Sequence, residues 1–220
     1  MKLDSPRTTI TSVLSTITPL SCPNLVNFHT HTTCSDGSMH PVDLIKQATS
    51  IGLKHISITD HHSIEAYTLI DRWLAETNQQ FMDLPTLWTG IEISCLLNKC
   101  LIHAIGLGFD RNHKALQPYI YKQAPIGEYL QARKVSESIH DAGGIVLLAH
   151  PARYRVGFST LISAAADIGF DGAEAWYDYD FNPSWQYSTF VCERISTQLN
   201  NLGLLSSCGT DSHGKSLLGR

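Results

Sequence analysis

Residues 27–37 read NFHTHTTCSDG: an apolar run ends at Phe28, His29 and His31 flank one threonine, and Asp36 follows within a few residues. Two imidazoles and a carboxylate at the end of a short apolar run are costly groups to bury, and histidine is the commonest metal ligand among side chains. The arrangement recurs downstream. Short apolar runs at 25–29, 55–59, 87–91, 101–107, 145–149, 172–176 and 204–208 read as strands. Helical patterns fill the intervals at 41–52, 64–76, 128–141, 159–168 and 185–202, with Pro41 at a first-turn position and Gly52, Gly143, Gly169 and Gly203 where helices end. Alternating strands and helices predict βα units around a parallel sheet or barrel.

Most of the strands end in metal-ligand chemistry. Asp60 and His61 follow the second in ITDHH, and Glu92 follows the third in TGIEIS. His150 closes IVLLAHP, Asp211 and His213 lie in GTDSHG, and His103 falls inside the strand LIHAIGL. Active sites of α/β barrels assemble at the C-terminal ends of strands, where the following loops converge. Imidazoles mixed with carboxylates suit Zn²⁺, Mn²⁺ or Fe²⁺, and a zinc-like ion takes about four ligands, so this many candidates implies two or three ions.

Composition narrows the partners. Across 220 residues there are eleven histidines beside sixteen Lys+Arg, at a formal net charge of −4, which argues against a dedicated DNA-binding surface. The six cysteines form no C-x-x-C pair, so reduced thiols in a cytoplasmic setting are expected. No run is apolar enough to span a bilayer. Residues 1–23, rich in Ser and Thr without a signal-peptide core, are expected to form a flexible or surface-lying extension, and 24–220 a single domain. Residues 110–127 read as a connecting loop or small excursion.

The strings NFHTHTTCSDG, ITDHHS, LLAHPARY and GTDSHG, joined by TGIEIS and LIHAIGLGF, resemble the motifs of the PHP (polymerase and histidinol phosphatase) family in order. The resemblance implies a distorted seven-stranded (β/α) barrel with a cluster of two or three divalent ions (Mn²⁺, Zn²⁺ or Fe²⁺). It implies a first ion held by His29, His31, Glu92 and Asp211, another by Asp36, His61 and His213, and completion of the site that shares Glu92 by His103 and His150. Asp60 would orient an imidazole from behind.

AHPARY and the GIEIS to HAIGLGF string are most similar to the branch containing a 3′,5′-bisphosphate nucleotidase and a 5′-to-3′ exoribonuclease. There Arg153 and Tyr154 would contact a phosphate, and the substrate would be a small phosphorylated molecule, a nucleotide or a short RNA. The chain departs from that branch in its short 110–127 excursion, where relatives carry an inserted domain, and in His62 after the TDH motif. His62 is the candidate acid for the leaving group. The competing readings are a histidinol-phosphate-type phosphatase and a catalytically silent, metal-stabilised domain. His40, His55, His113 and His140 are read as structural, and Trp176 and Tyr177 as core or rim packing.

Overall fold

The computed structural model describes residues 6–77 and 83–219. After a first helix, α1 (Pro6–Leu14), the chain lays down β1 (Val26–Asn27), α2 (Pro41–Ile51), β2 (His55–Ser57), α3 (Glu65–Thr77) and β3 (Thr86–Trp88). These strands pair in parallel in the order β1-β2-β3. The ends of α2 follow from local chemistry. The His40 ring accepts from the Val42 N–H, Pro41 occupies the first turn, and Gly52 adopts φ 86°, a left-handed cap that returns N–H bonds to Ala48 and Thr49. Pro41, Leu44, Ile45 and Ala48 form the buried face of the helix, within a core cluster that includes Ile56, Ile58, Tyr67 and Ile70.

The second sheet runs β4 (Gly90–Leu97), β5 (Cys100–Leu107), β6 (Ile145–Leu148), β7 (Gly172–Trp176) and β8 (Leu205–Cys208), with α4 (Ala132–Asp141), α5 (Phe158–Asp167) and α6 (Thr189–Leu202) between the later strands. Here the expectation of uniformly parallel units needs correction. β5 runs antiparallel to both β4 and β6. The third predicted strand, 87–91, divides between β3 and β4, and β4 runs on to Leu97 and turns back through Asn98 and Lys99 at φ 49° and 64°. Positive φ at both central residues is the geometry whose twist suits a two-residue hairpin. Glu92 therefore lies within a strand, and pairs with Ile105.

The fold is α/β with mixed sheets. Among the described residues, eight strands fall into a three-stranded and a five-stranded sheet, and neither closes on itself as the expected seven-stranded barrel would. The two sheets are laced at both seams. The isolated parallel bridge His61↔Glu92 joins the end of β2 to β4, and Thr30↔Ser212, with Phe28 N–H donating to Cys208 O at 3.1 Å, joins β1 to β8. Both bridges involve motif residues or their immediate neighbours.

Residues 1–23 were expected to form a flexible or surface-lying extension; in its described part, α1 packs its apolar side onto the domain. Ile10 and Leu14 are buried within the main core, alongside Val26, Ala173 and Cys208. Arg7 pairs with Asp171 at 2.6 Å, and the same carboxylate binds His140 Nε2 at 2.7 Å and the Val146 N–H at 2.8 Å. His140 thus serves the N-terminal ends of the strands. Truncating a fully buried leucine costs about 2–4 kcal/mol, so Leu14→Ala should lower unfolding stability by that amount in urea titration. An unchanged midpoint would show that α1 is not part of the cooperative core.

Candidate metal centre

The residues that follow β1 alternate into the space between the sheets, and the backbone there is tightly packed. A Cβ on Gly209 would lie 2.2 Å from the His29 Cβ, so glycine is what lets the end of β8 approach β1. His29 Nδ1 donates to Glu174 Oε1 at 2.9 Å, which turns its Nε2 inward. That Nε2 lies 3.1 Å from His31 Nε2, 3.1 Å from Glu92 Oε2 and 3.3 Å from Asp211 Oδ1. His31 Nε2 lies 3.1 Å from Glu92 Oε2 and 3.2 Å from Asp211 Oδ1. A tetrahedral ion with bonds of about 2.0 Å has ligand–ligand edges of about 3.3 Å. Four donors at this spacing match such an edge length.

The same pattern extends outward. Asp36 Oδ2 is 3.2 Å from His213 Nε2 and 3.7 Å from His61 Nε2, while its Oδ1 is 3.5 Å from His31 Nδ1. Glu92 Oε2 is 3.4 Å from His61 Nε2; its Oε1 is 2.9 Å from His103 Nδ1 and 3.3 Å from His150 Nε2. All nine sequence-predicted ligands therefore meet around Glu92. Their grouping is less exclusive than expected, because His31 joins both the Glu92–Asp211 group and the Asp36 group, and His61 joins both the Asp36 and His103 groups. Nδ1 of His31 and Nδ1 of His103, which face carboxylate oxygens of Asp36 and Glu92 respectively, are buried without a hydrogen bond of good geometry, as nitrogens reserved for a cation would be. Orphaned ring nitrogens, tetrahedral spacing and a mixed imidazole–carboxylate set together fit divalent Zn²⁺, Mn²⁺ or Fe²⁺.

Charge is unevenly distributed among these groups. Burial pushes the His29 imidazole down, but Glu174, Glu92 and Asp211 outweigh it and hold it well above its ordinary range. For His31 burial is likewise overcome, by hydrogen bonds that its ring donates to Asp211 and Glu92, and it rises to about 9. Burial would raise Glu92 and Asp211, yet the histidines facing them hold both carboxyls well below the usual range. Burial dominates at His61, lowered to about 4, and also lowers His150. In the protein alone, the carboxylates of Glu92, Asp211 and Glu174 favour the protonated forms of His29 and His31.

Several partners were not anticipated. Glu174 is fully buried in β7, where it holds His29 through Oε1 and accepts the His150 N–H through Oε2 at 2.7 Å. Its only sequence signal is a carboxylate inside the otherwise apolar GAEAW. Tyr177 was read as packing, but its hydroxyl donates to Asp211 Oδ2 at 2.6 Å, beside Arg153 Nη1 at 3.0 Å from the same oxygen. Asp60 was expected behind an imidazole. Instead it accepts from Thr32 N, Thr32 Oγ1 and Ser35 Oγ at 2.6–2.7 Å and fixes the loop between His31 and Asp36. Tyr154 accepts the His103 N–H at 2.8 Å and donates to Ala149 O at 3.2 Å, so its hydroxyl is committed to backbone.

His62 accepts the Ser94 N–H through Nε2 at 3.4 Å, and burial lowers it to about 4. His62, His150 and Asp211 hold φ of 50°, 30° and 52°, left-handed positions for residues with a Cβ, clustered at one site. The histidines read as structural are placed so: His40 and His113 cap helical turns, and His55 accepts from Trp88 Nε1 at 3.3 Å.

A family model described as the PHP domain matches residues 27–150, more than half of the chain. The chain belongs to the PHP domain family. Among curated proteins, a 5′-3′ exoribonuclease of Haemophilus influenzae is 29% identical over 143 residues, covering 59% of this chain and 50% of that protein. A 3′,5′-nucleoside bisphosphate phosphatase of Chromobacterium violaceum is 25% identical over 118 residues, covering 54% and 39%. The chain spans about half the length of the curated relatives it matches. In fold it is similar to a Chromobacterium violaceum protein described as an amidohydrolase with bound sulfate and no metal, at TM-score 0.70, 18% identity and 89% and 90% coverage. It is also similar to a Bifidobacterium adolescentis protein described as a metal-dependent phosphoesterase, at TM-score 0.67, 20% identity and 88% and 89% coverage.

Protons and a divalent ion compete for the same nitrogens, and the two raised histidines keep theirs until high pH. Apparent affinity for Mn²⁺ or Zn²⁺ should therefore rise with pH through neutrality and level off near the raised value of His31, about 9. Calorimetry in buffers of different ionisation enthalpy should show protons released on binding. A pH-independent affinity between 6 and 9 would contradict the charge assignment.

Proposed function

We propose that the chain is a metal-dependent phosphoesterase that hydrolyses phosphomonoesters, with nucleotides, nucleoside bisphosphates or short RNA as the substrate class. Glu92 carries this reading: a 1% exposed carboxylate faced by five imidazoles, with both oxygens used, is arranged to bridge cations. His29, His31, Glu92 and Asp211 would hold one ion, and Asp36, His61, His103, His150 and His213 would complete sites for one or two more. The two laced sheets stand for the distorted barrel of the family. Two or three divalent ions, when bound, lower the pKa of water and clamp phosphoryl oxygens as charge develops.

The chain's own residues define how a substrate approaches. His29 and His31 are closed to solvent, whereas the side chains of His61, His103 and His213 are 24–30% exposed and Asp36 is 52% exposed. That side is the mouth. Arg153 stands at its Asp211 flank with about a third of its side chain exposed, and one nitrogen anchors it while the rest of the guanidinium remains able to donate to a phosphoryl oxygen. His62 is neutral at physiological pH, with Nε2 committed to Ser94 and Nδ1 buried without a partner, so the leaving group would take its proton from solvent. An open mouth favours catalysis over a silent, metal-stabilised role. The cysteines of the chain are all free, which supports a reducing, cytoplasmic setting.

Release of phosphate from a panel of mononucleotides, 3′,5′-bisphosphates, short RNA and histidinol phosphate tests the reading. His29→Ala and Asp211→Ala should abolish hydrolysis, while His55→Ala and His140→Ala, at the opposite ends of the strands, should leave it nearly intact. Arg153→Lys keeps the charge and loses the fork, and should cost on the order of 10-fold in kcat/KM with metal content unchanged. Equal loss in all the histidine variants would reject the site, and an unaltered rate in Arg153→Lys would reject the phosphate contact.

A further inference from the structure

The 110–130 excursion folds into two 3₁₀ turns, Lys114–Tyr119 and Gly127–Leu130, that shape a hollow of about 410 Å³. Pro118, Tyr121, Gln123, Pro125, Ile126 and Tyr129 wall it. Tyr121 is 66% exposed, Ile126 82% and Tyr129 39%, an apolar concentration beyond the scattered exposures of an ordinary surface. The rings are held in place. Tyr129 stands edge-on to buried Tyr119 at 6.2 Å, and the Tyr121 hydroxyl donates to Gln117.

The excursion reaches the loop that carries His61 and His62. Lys122 N–H donates to the His62 carbonyl at 2.8 Å, and Lys122 pairs with Glu65. A second hollow, about 470 Å³, is lined by Ser63, Ile64, Thr68, Ile120, Tyr121 and Lys122, so it begins just after His61 and His62 and shares Tyr121 as a wall with the first. Counting along the chain and across that hydrogen bond, Tyr121 is on the order of 10 Å from His61. Such a span suits the distance between a phosphate and the flat end of the same molecule.

The lining names the ligand class. No residue around the first hollow carries charge, which disfavours a second phosphate or a charged peptide; it offers two tyrosine faces and two amides, Gln117 and Gln123. We propose that this hollow is a stacking subsite for the nucleobase of a phosphoester whose phosphate sits at the Glu92 cluster, an inference that rests on the phosphoesterase reading above. Stacking on tyrosine accepts purines and pyrimidines alike, since each presents a π-face. The excursion thus recognises that a base is present without selecting which one.

Non-hydrolysable phosphonates separate this subsite from the reaction. With the full chain loaded with Mn²⁺, calorimetry should show adenosine 5′-phosphonate binding at least 10-fold tighter than methylphosphonate, and the uridine analogue within about 3-fold of adenosine. Tyr121→Ala and Tyr129→Ala should erase the nucleoside gain and leave methylphosphonate unchanged, while Tyr121→Phe, which keeps the ring, retains it. Equal affinities in the unmodified chain, or a gain that survives both alanine variants, would overturn the subsite while leaving hydrolysis standing. Failure of both phosphonates to bind would overturn the phosphoesterase reading and the subsite with it. A chain that runs as a dimer and becomes monomeric as Ile126→Arg would assign the patch to a second copy and overturn the base.

Discussion

The fold converges on one carboxylate. Glu92 lies in the middle of a strand with almost no solvent, facing His29, His31 and His61 through one oxygen and His103 and His150 through the other. A buried charge of this kind is strongly unfavourable unless opposite charge sits against it. In the protein alone that charge is held as protons on His29 and His31, kept there by Glu174, Asp211 and Glu92. A divalent ion at the same place supplies the charge without requiring the imidazoles to be protonated, which is why the donor spacing and the charge balance point to the same conclusion.

The seams between the two sheets explain how so many polar groups reach one point. β1 and β8 meet through Thr30 and Ser212, next to His29, His31, Asp211 and His213, and β2 meets β4 through His61 and Glu92. The lacing residues and the proposed ligands are therefore neighbours in the chain. Closing the sheets and assembling the site are one event. Behind the ligands, Glu174, Tyr177 and Asp60 fix ring orientation, carboxylate orientation and loop path respectively, a division that limits how far any ligand can relax.

The proposed ligands are legible in the sequence because most fall at or near the end of a short apolar run, where chance places few histidines. The bounds of α2 are equally legible, since His40, Pro41 and Gly52 act locally. Other features depend on long-range packing. The β4–β5 hairpin turns on Asn98 and Lys99 without a glycine, and Glu92 and His103 break the apolar pattern, so the strand was predicted too short. The Thr-rich α1 has weak intrinsic helix propensity and is held by Ile10, Leu14 and the Arg7–Asp171 pair. Glu174 and Tyr177 look like ordinary strand residues until the packing of the two sheets brings His29 to Glu174 and Asp211 to Tyr177.

Elemental analysis of the full chain, purified without chelator and exchanged into metal-free buffer, is the most direct test of the account. Two or three divalent ions per chain are predicted, because the nine donors exceed the roughly four that a single zinc-like ion takes. One ion or none, in protein that is folded by circular dichroism, would contradict the multinuclear centre and with it the chemistry built on Glu92.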